Sequence, residues 1–255
     1  MPVAVLIGVT GFVGGHIAAR HHFDVAVHRS NVSQLEGSST DLLVCSGLPA
    51  EKWRANQEPR ADWENMASLA QVLTRVRAER AVLISTVDVY QPAVDVTEDD
   101  PAQFNGAGAY GAHRAWFEAF FRSRFPHALV MRLPALFAPD VRKNLVHDLL
   151  NGRADQWSAV SPASTLQFFD VTHTWDVAQR AFSEGIDLLN ITSVPVTAQQ
   201  VATLFDVTLS AEGPPVHYDM RSNHASAFGG ENGYLYDQQA VLAGIATLRA
   251  TARTQ

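Results

Sequence analysis

The sequence predicts an α/β fold, a doubly wound parallel sheet with a small C-terminal lobe. Three observations point there: strand-length apolar runs, helical patterns between most of them, and a glycine-rich turn joining the first run to the first helix. The runs are Val3 to Ile7, Asp24 to His28, Asp41 to Cys45, Ala81 to Ser85 and Ala128 to Leu133. Alternation of this kind calls for parallel strands joined by right-handed crossovers. Helical periodicity marks Phe12 to His22, Trp63 to Arg77, Tyr110 to Arg124 and Asn144 to Leu150, with Phe125-Pro126 stopping the third. Further on, Thr197-Ala198-Gln199-Gln200 has the form of a capping box and opens a helix through Phe205. Asp237 to Arg249 is the last helical pattern.

Composition narrows the functional classes. With 255 residues, 47% of them hydrophobic, the chain can bury one large core or a core with an appended lobe. A formal charge of -7 argues against a general grip on nucleic acid, which needs clustered Lys and Arg, so a small-molecule partner is expected. No apolar run approaches the roughly 20 residues that cross a bilayer. The N-terminus lacks a charged segment ahead of its apolar run, and cytoplasmic residence is the default expectation. Cys45 is the single cysteine, so no intramolecular disulfide can form, and its apolar setting suits a packed thiol better than a nucleophile. Ten histidines occur without H-E-x-x-H or Cys/His spacing, and no metal site is predicted. The five tryptophans are scattered through different elements and read as packing groups.

The first turn is the most informative segment. Ile7-Gly8-Val9-Thr10-Gly11-Phe12-Val13-Gly14 leads from a buried strand into a helix. Gly8 allows a tight turn, Gly11 presents no Cβ to a pyrophosphate, and Gly14 lets the helix pack closely on the sheet. Amides of the first helical turn and the macrodipole favour phosphate there. The expected dinucleotide contacts are Gly8, Thr10, Gly11, Phe12, Val13 and Gly14, in a Rossmann-like domain over residues 1–150. Residues 151–255 are expected to form the small substrate lobe, with segments returning to the main domain. Between the second run and Asp41 there are only Arg29 to Thr40, too few for a full strand-helix unit. The adenine side is therefore trimmed, which predicts an exposed adenine and modest cofactor affinity.

The G-x-x-G-x-x-G spacing resembles that of the short-chain dehydrogenase/reductase superfamily, in its extended, NAD-dependent epimerase/dehydratase branch. Ser85-Thr86-Val87-Asp88-Val89-Tyr90 and Tyr110-Gly111-Ala112-His113-Arg114 look like the S-[ST]-x-x-V-Y and Y-x-x-x-K signatures of that family. The resemblance places the catalytic hydroxyl at Thr86, the catalytic tyrosine at Tyr110 and the charged partner at Arg114. Residues four apart share a helix face, so Tyr110 and Arg114 can face one cleft. The chemistry is consistent: hydride transfer at an oxygen-bearing carbon needs a proton, a cation depresses the phenol's pKa, and a hydroxyl steadies the substrate oxygen.

The departures carry information of their own. Arg114 stands where the family has lysine; it keeps the charge but changes the geometry toward a ribose. Either the site has adapted to arginine, the favoured reading, or the fold has become a non-catalytic NAD(P) sensor or scaffold. Asp88 lies near the position of a family dehydratase acid, but Val87 replaces its companion. Asp88 is thus a candidate acid/base and substrate contact, or an Asx turn. Arg29 with Ser30 follows the second strand in place of the usual acid, so NADP is favoured over NAD, with a solvated loop arginine as the alternative. Looser likenesses occur at Arg132 to Pro139, Phe169-Asp170-Val171 with Asp176-Val177-Ala178, and Leu189-Asn190-Ile191. They favour an oxidoreductase acting on a sugar or nucleotide sugar over the alcohol-type branch. An epimerase or dehydratase with internally recycled NAD is the close alternative. The loops Val87 to Ala109 and Pro134 to Lys143 are expected to face substrate. Asn144 is a candidate substrate contact or a helix cap. A homodimer is a family-level expectation.

Overall fold

Short runs of Val, Leu and Ile form the strands of a six-stranded parallel sheet in the computed structural model, which describes residues 3–105 and 108–252. Gly106 and Ala107 of the expected substrate loop, and the last three residues of the expected C-terminal lobe, lie outside the described residues. The sheet runs in the order Leu188–Asn190, Ala128–Leu133, Arg77–Thr86, Ser39–Cys45, Ala4–Ile7, Val25–Val27. Its registers pair Val5 with Val25 on one side and with Leu43 on the other. Connections therefore step outward in opposite directions from the first strand, and such a switch point opens a crevice at the strands' carboxyl ends.

The sheet ends at Val25–Val27, as the short Arg29 to Thr40 segment predicts. Two short 3-10 turns joined by a kink at Asn31, over Arg29–Leu35, fill the connection and bury Val32 and Leu35. The second predicted helix begins and ends earlier than expected, at Pro59–Leu73. Proline suits a first turn because its missing N–H has no intrahelical partner there. Arg77 belongs instead to the following strand, whose ladder starts at the Ser39–Arg77 pair. A short helix at Lys52–Gln57 has no counterpart among the predicted elements.

The chain divides into two compact units. The first comprises Met1–Gln91, Asp100–Arg132 and Thr172–Leu189. Its core joins Val5, Ile7, Leu43 and Leu83 of the sheet to Met66, Leu69 and Leu73 of one helix and Phe117, Phe121 and Phe125 at the end of another. Phe117 and Phe121 lie four residues apart on one buried face of the Gly108–Arg124 helix, and Phe125, just past its end, continues that face. Cys45 is fully buried here, and burial pushes its thiol up to about 12, which suits packing. Arg132 is buried too, bonded to both carboxylate oxygens of Glu118 and to the Tyr90 hydroxyl. That conserves hydrogen bonding for a charge that could not otherwise be buried.

The second unit comprises Pro92–Asp99, Leu133–Val171 and Asn190–Gln255. Three strand pairs shape it: Ala135–Phe137 with Phe168–Asp170, Val196–Thr197 with Thr165–Leu166, and Asp219–Met220 with Val94–Val96. The capping box forms as predicted, Thr197 and Gln200 bonding reciprocally at the start of Ala198–Thr203. Glu98 ties the unit together by accepting from the Asn190 and Asn223 amides and from the Ser222 hydroxyl. Among the described residues no helix is long and apolar enough to cross a membrane.

Candidate active site

The glycine turn has little room for anything but glycine. Gly8 has φ +91°, and a Cβ there would lie 2.7 Å from the Ser46 carbonyl carbon. At Gly14 a Cβ would fall 2.1 Å from the Gly8 carbonyl oxygen and 2.6 Å from Ser46 Oγ. The Phe12–Arg20 helix thus starts in contact with the strand it follows. Gly11 is its N-cap and supplies no side-chain cap. Phe12, Val13 and Gly14 form the first helical turn, while Thr10 and Gly11 are exposed. An exposed turn with an uncapped helix start is the geometry that receives a phosphate. The donor set and its lack of side-chain bulk fit a dinucleotide pyrophosphate.

Thr86 and Tyr110 are brought together. Thr86 ends the Arg77–Thr86 strand, and its hydroxyl accepts from the Asp88 amide at 3.2 Å, starting the turn Val87–Val89. Tyr110 lies in the first turn of the Gly108–Arg124 helix, and its amide donates to Asn56 Oδ1 at 3.0 Å. Tyr110 is 7% exposed. Burial pushes its pKa above the ordinary value; the Arg114 charge opposes this, Asp88 adds to it, and a Thr86 hydrogen bond and the Lys52 charge oppose it. The phenol is therefore protonated at neutral pH.

Arg114 is present in the site but is not exposed. Only 1% of it is accessible. Its guanidinium holds both carboxylate oxygens of Asp62, at 2.5 and 2.8 Å, and donates to the Pro49 carbonyl. The guanidinium carbon lies 3.9 Å from the centroid of the Tyr110 ring, on its face. Its charge thus acts on Tyr110 from beneath, through a fixed pair, and it is committed to protein partners. Asp62 Oδ2 also lies 2.8 Å from His113 Nδ1 and accepts from it when that nitrogen carries the proton.

Asp88 is engaged with Lys52, whose Nζ lies 2.6 Å from Asp88 Oδ1. Thr86 Oγ1 lies 3.4 Å from Asp88 Oδ2. Lys52, Asn56 and Asp62 are the residues that sequence reasoning missed. The one available signal was Arg114 itself, since a buried guanidinium needs an acid, but the sequence holds many acids and does not mark Asp62 among them. Arg29 and Ser30 lie just beyond the edge strand and are exposed; the Ser30 hydroxyl is 3.0 Å from His28 Nδ1. Asn144 belongs to the second unit, where its Oδ1 accepts from the His147 amide and its Nδ2 donates to the Leu136 carbonyl. The oxygen caps the Leu145–Leu150 helix, and the nitrogen ties that cap to the strand Ala135–Phe137.

Solved structures share this architecture over the whole chain. One is dTDP-4-dehydrorhamnose reductase from Yersinia enterocolitica, with 12% identity, a TM-score of 0.73, and coverage of 98% of this chain and 100% of that one. The chain has the fold of the extended short-chain dehydrogenases/reductases. MoeE5 in complex with UDP-glucuronic acid and NAD matches at 16% identity and TM-score 0.75, over 99% and 100% of the two chains. RMD from Pseudomonas aeruginosa complexed with NADPH matches at 14% and 0.71, over 100% and 98%. No protein-family model and no curated protein matches the sequence. In this fold, Gly8 to Gly14 leaves the first strand at the carboxyl end of the sheet, and Thr86 ends the strand Arg77–Thr86 on the same side.

Proposed function

We propose that this protein is an NAD(P)-dependent oxidoreductase acting on a hydroxyl or carbonyl carbon of a sugar or nucleotide sugar. The meeting of Thr86 with Tyr110, in the same unit as an open glycine turn, carries the reading. The solved relatives bind NAD or NADPH, and one of them UDP-glucuronic acid, which supports the cofactor and substrate classes. Gly8, Gly11 and Gly14 leave room for the pyrophosphate, with Thr10, Phe12 and Val13 around it. The exposed Arg29 and Ser30, following the edge strand in place of an acid, support a preference for the 2′-phosphate of NADPH. When bound, the nicotinamide supplies or accepts the hydride.

The chain's own residues handle the proton. Tyr110 donates from its phenol Oη to the substrate oxygen, and Thr86 Oγ1 hydrogen-bonds that oxygen and orients it. Burial favours the protonated phenol, the form that donates. Arg114, fixed on Asp62 below the ring, stabilises the phenolate left behind. Asp88 lies two residues beyond Thr86 and is the second group able to exchange a proton with substrate.

The test is a panel of sugar nucleotides with NADPH, read as loss of reduced-nicotinamide absorbance. Tyr110→Phe is expected to lower turnover about 100-fold with little change in cofactor affinity. Unchanged turnover in that variant removes Tyr110 from the role. Retention of tightly bound NAD, with isotope exchange into product and no net NADPH loss, would replace reduction by epimerisation.

A further inference from the structure

The cation that the family motif places four residues after the tyrosine is, in this chain, buried and spoken for. Arg114 is bound to Asp62 through Nη1 and Nη2, and it faces the ring rather than the hydroxyl edge of Tyr110. A second cation approaches from another element. Lys52 opens the short Lys52–Gln57 helix, and the same helix supplies Asn56, which holds the amide of Tyr110. Lys52 Nζ bonds Asp88 Oδ1 at 2.6 Å, while the Thr86 hydroxyl accepts from the Asp88 amide, lies 3.4 Å from Asp88 Oδ2, and is among the groups that act on the phenol. The Lys52 side chain is 45% exposed, against 2% for Arg114, so its ammonium meets solvent where the guanidinium does not.

On the reading of Tyr110 as the proton donor, we propose that Lys52 is a positioning residue that supplies the accessible positive charge of the site and acts on Tyr110 through Asp88 and Thr86. Two cations then divide one task. Arg114 is a static charge under the ring, and Lys52 is a solvent-facing charge that tunes the phenol as Asp88 is occupied or released. The charged and titratable groups around the phenol are Arg114 and His113 from its own helix, Asp62 from Pro59–Leu73, Lys52 from Lys52–Gln57 and Asp88 from the turn Val87–Val89. Of these, Lys52 and Asp88 form the pair that solvent reaches most readily.

The experiment places a ring-fluorinated tyrosine at position 110 of the full chain and follows its ionisation by fluorine NMR. Lys52→Gln is expected to move the titration to higher pH by roughly half a unit, the size expected of one partly solvated charge. Lys52→Arg is expected to restore the original titration, because it keeps the charge. A titration unmoved by Lys52→Gln overturns the proposal, as does an equal shift in Lys52→Arg. Circular dichroism confirms that the exposed substitution leaves the fold intact. Dinucleotide binding is measured on the same samples: failure of the parent to bind sinks the oxidoreductase reading, whereas a phenol insensitive to Lys52 sinks this inference alone.

Discussion

Asp62→Asn isolates the part of the site that no motif announces. Asp62 and Arg114 are 4% and 2% exposed at their side chains and share two hydrogen bonds, so the substitution leaves a buried guanidinium without its counter-charge. Breaking one side of such a pair costs about 3–5 kcal/mol. In a chain of this size that corresponds to a fall in Tm of roughly 10 °C, read by calorimetry or denaturant unfolding. Replacing both partners, Asp62→Leu with Arg114→Met, is expected to recover most of the loss because no unpaired charge remains. The effect also depends on pH. Burial alone would raise the Asp62 carboxyl, but the hydrogen bonds and charges of Arg114 and His113 prevail and hold it below its ordinary value. A depressed carboxyl stabilises fully above the unfolded value of about 3.9 and loses that contribution as pH falls through the lower folded value. The gap between parent and Asp62→Asn should thus be full at neutral pH and close on acidification below about 4. A loss under about 1 kcal/mol at neutral pH would refute the claim that Arg114 depends on this pair.

Neighbouring glycines give opposite expectations. Gly14→Ala drives a Cβ against the Gly8 carbonyl oxygen and should destabilise by at least about 2 kcal/mol, whereas Gly15→Ala meets nothing closer than 3.6 Å and should stabilise by roughly 0.5–1 kcal/mol. Unfolding curves of the two variants decide it, and equal effects would contradict the packing described. Arg29→Ala should reduce a preference for NADPH over NADH without altering Tm by more than about 1 kcal/mol equivalent, since Arg29 is exposed. Equal affinities of the parent for both dinucleotides would remove the 2′-phosphate contact.

The sheet, the first turn and the trimmed edge were legible because each is written in local chemistry. Within the apolar runs, Val5 to Ile7 and Ala128 to Leu133 are buried, and Gly8 and Gly14 sit where a side chain has no space. The pairing of Thr86 with Tyr110 could be read from signature spacing. What surrounds them could not. Asp62 reaches Arg114 across 52 positions of sequence and Lys52 reaches Asp88 across 36, and neither partner carries a local mark. The boundary of the second helix moved for a similar reason: Thr74 to Arg77 are compatible with helix, and the ladder with Ser39 claims Arg77 for the sheet.

Calorimetric titration of NADPH and NADH into the parent protein and into Gly14→Ala tests the central claim most directly. The account predicts binding of one dinucleotide per chain to the parent, tighter for NADPH, and loss of binding in a Gly14→Ala protein that circular dichroism shows to be folded. Absence of binding to the parent at millimolar dinucleotide, or undiminished binding to folded Gly14→Ala, would contradict it.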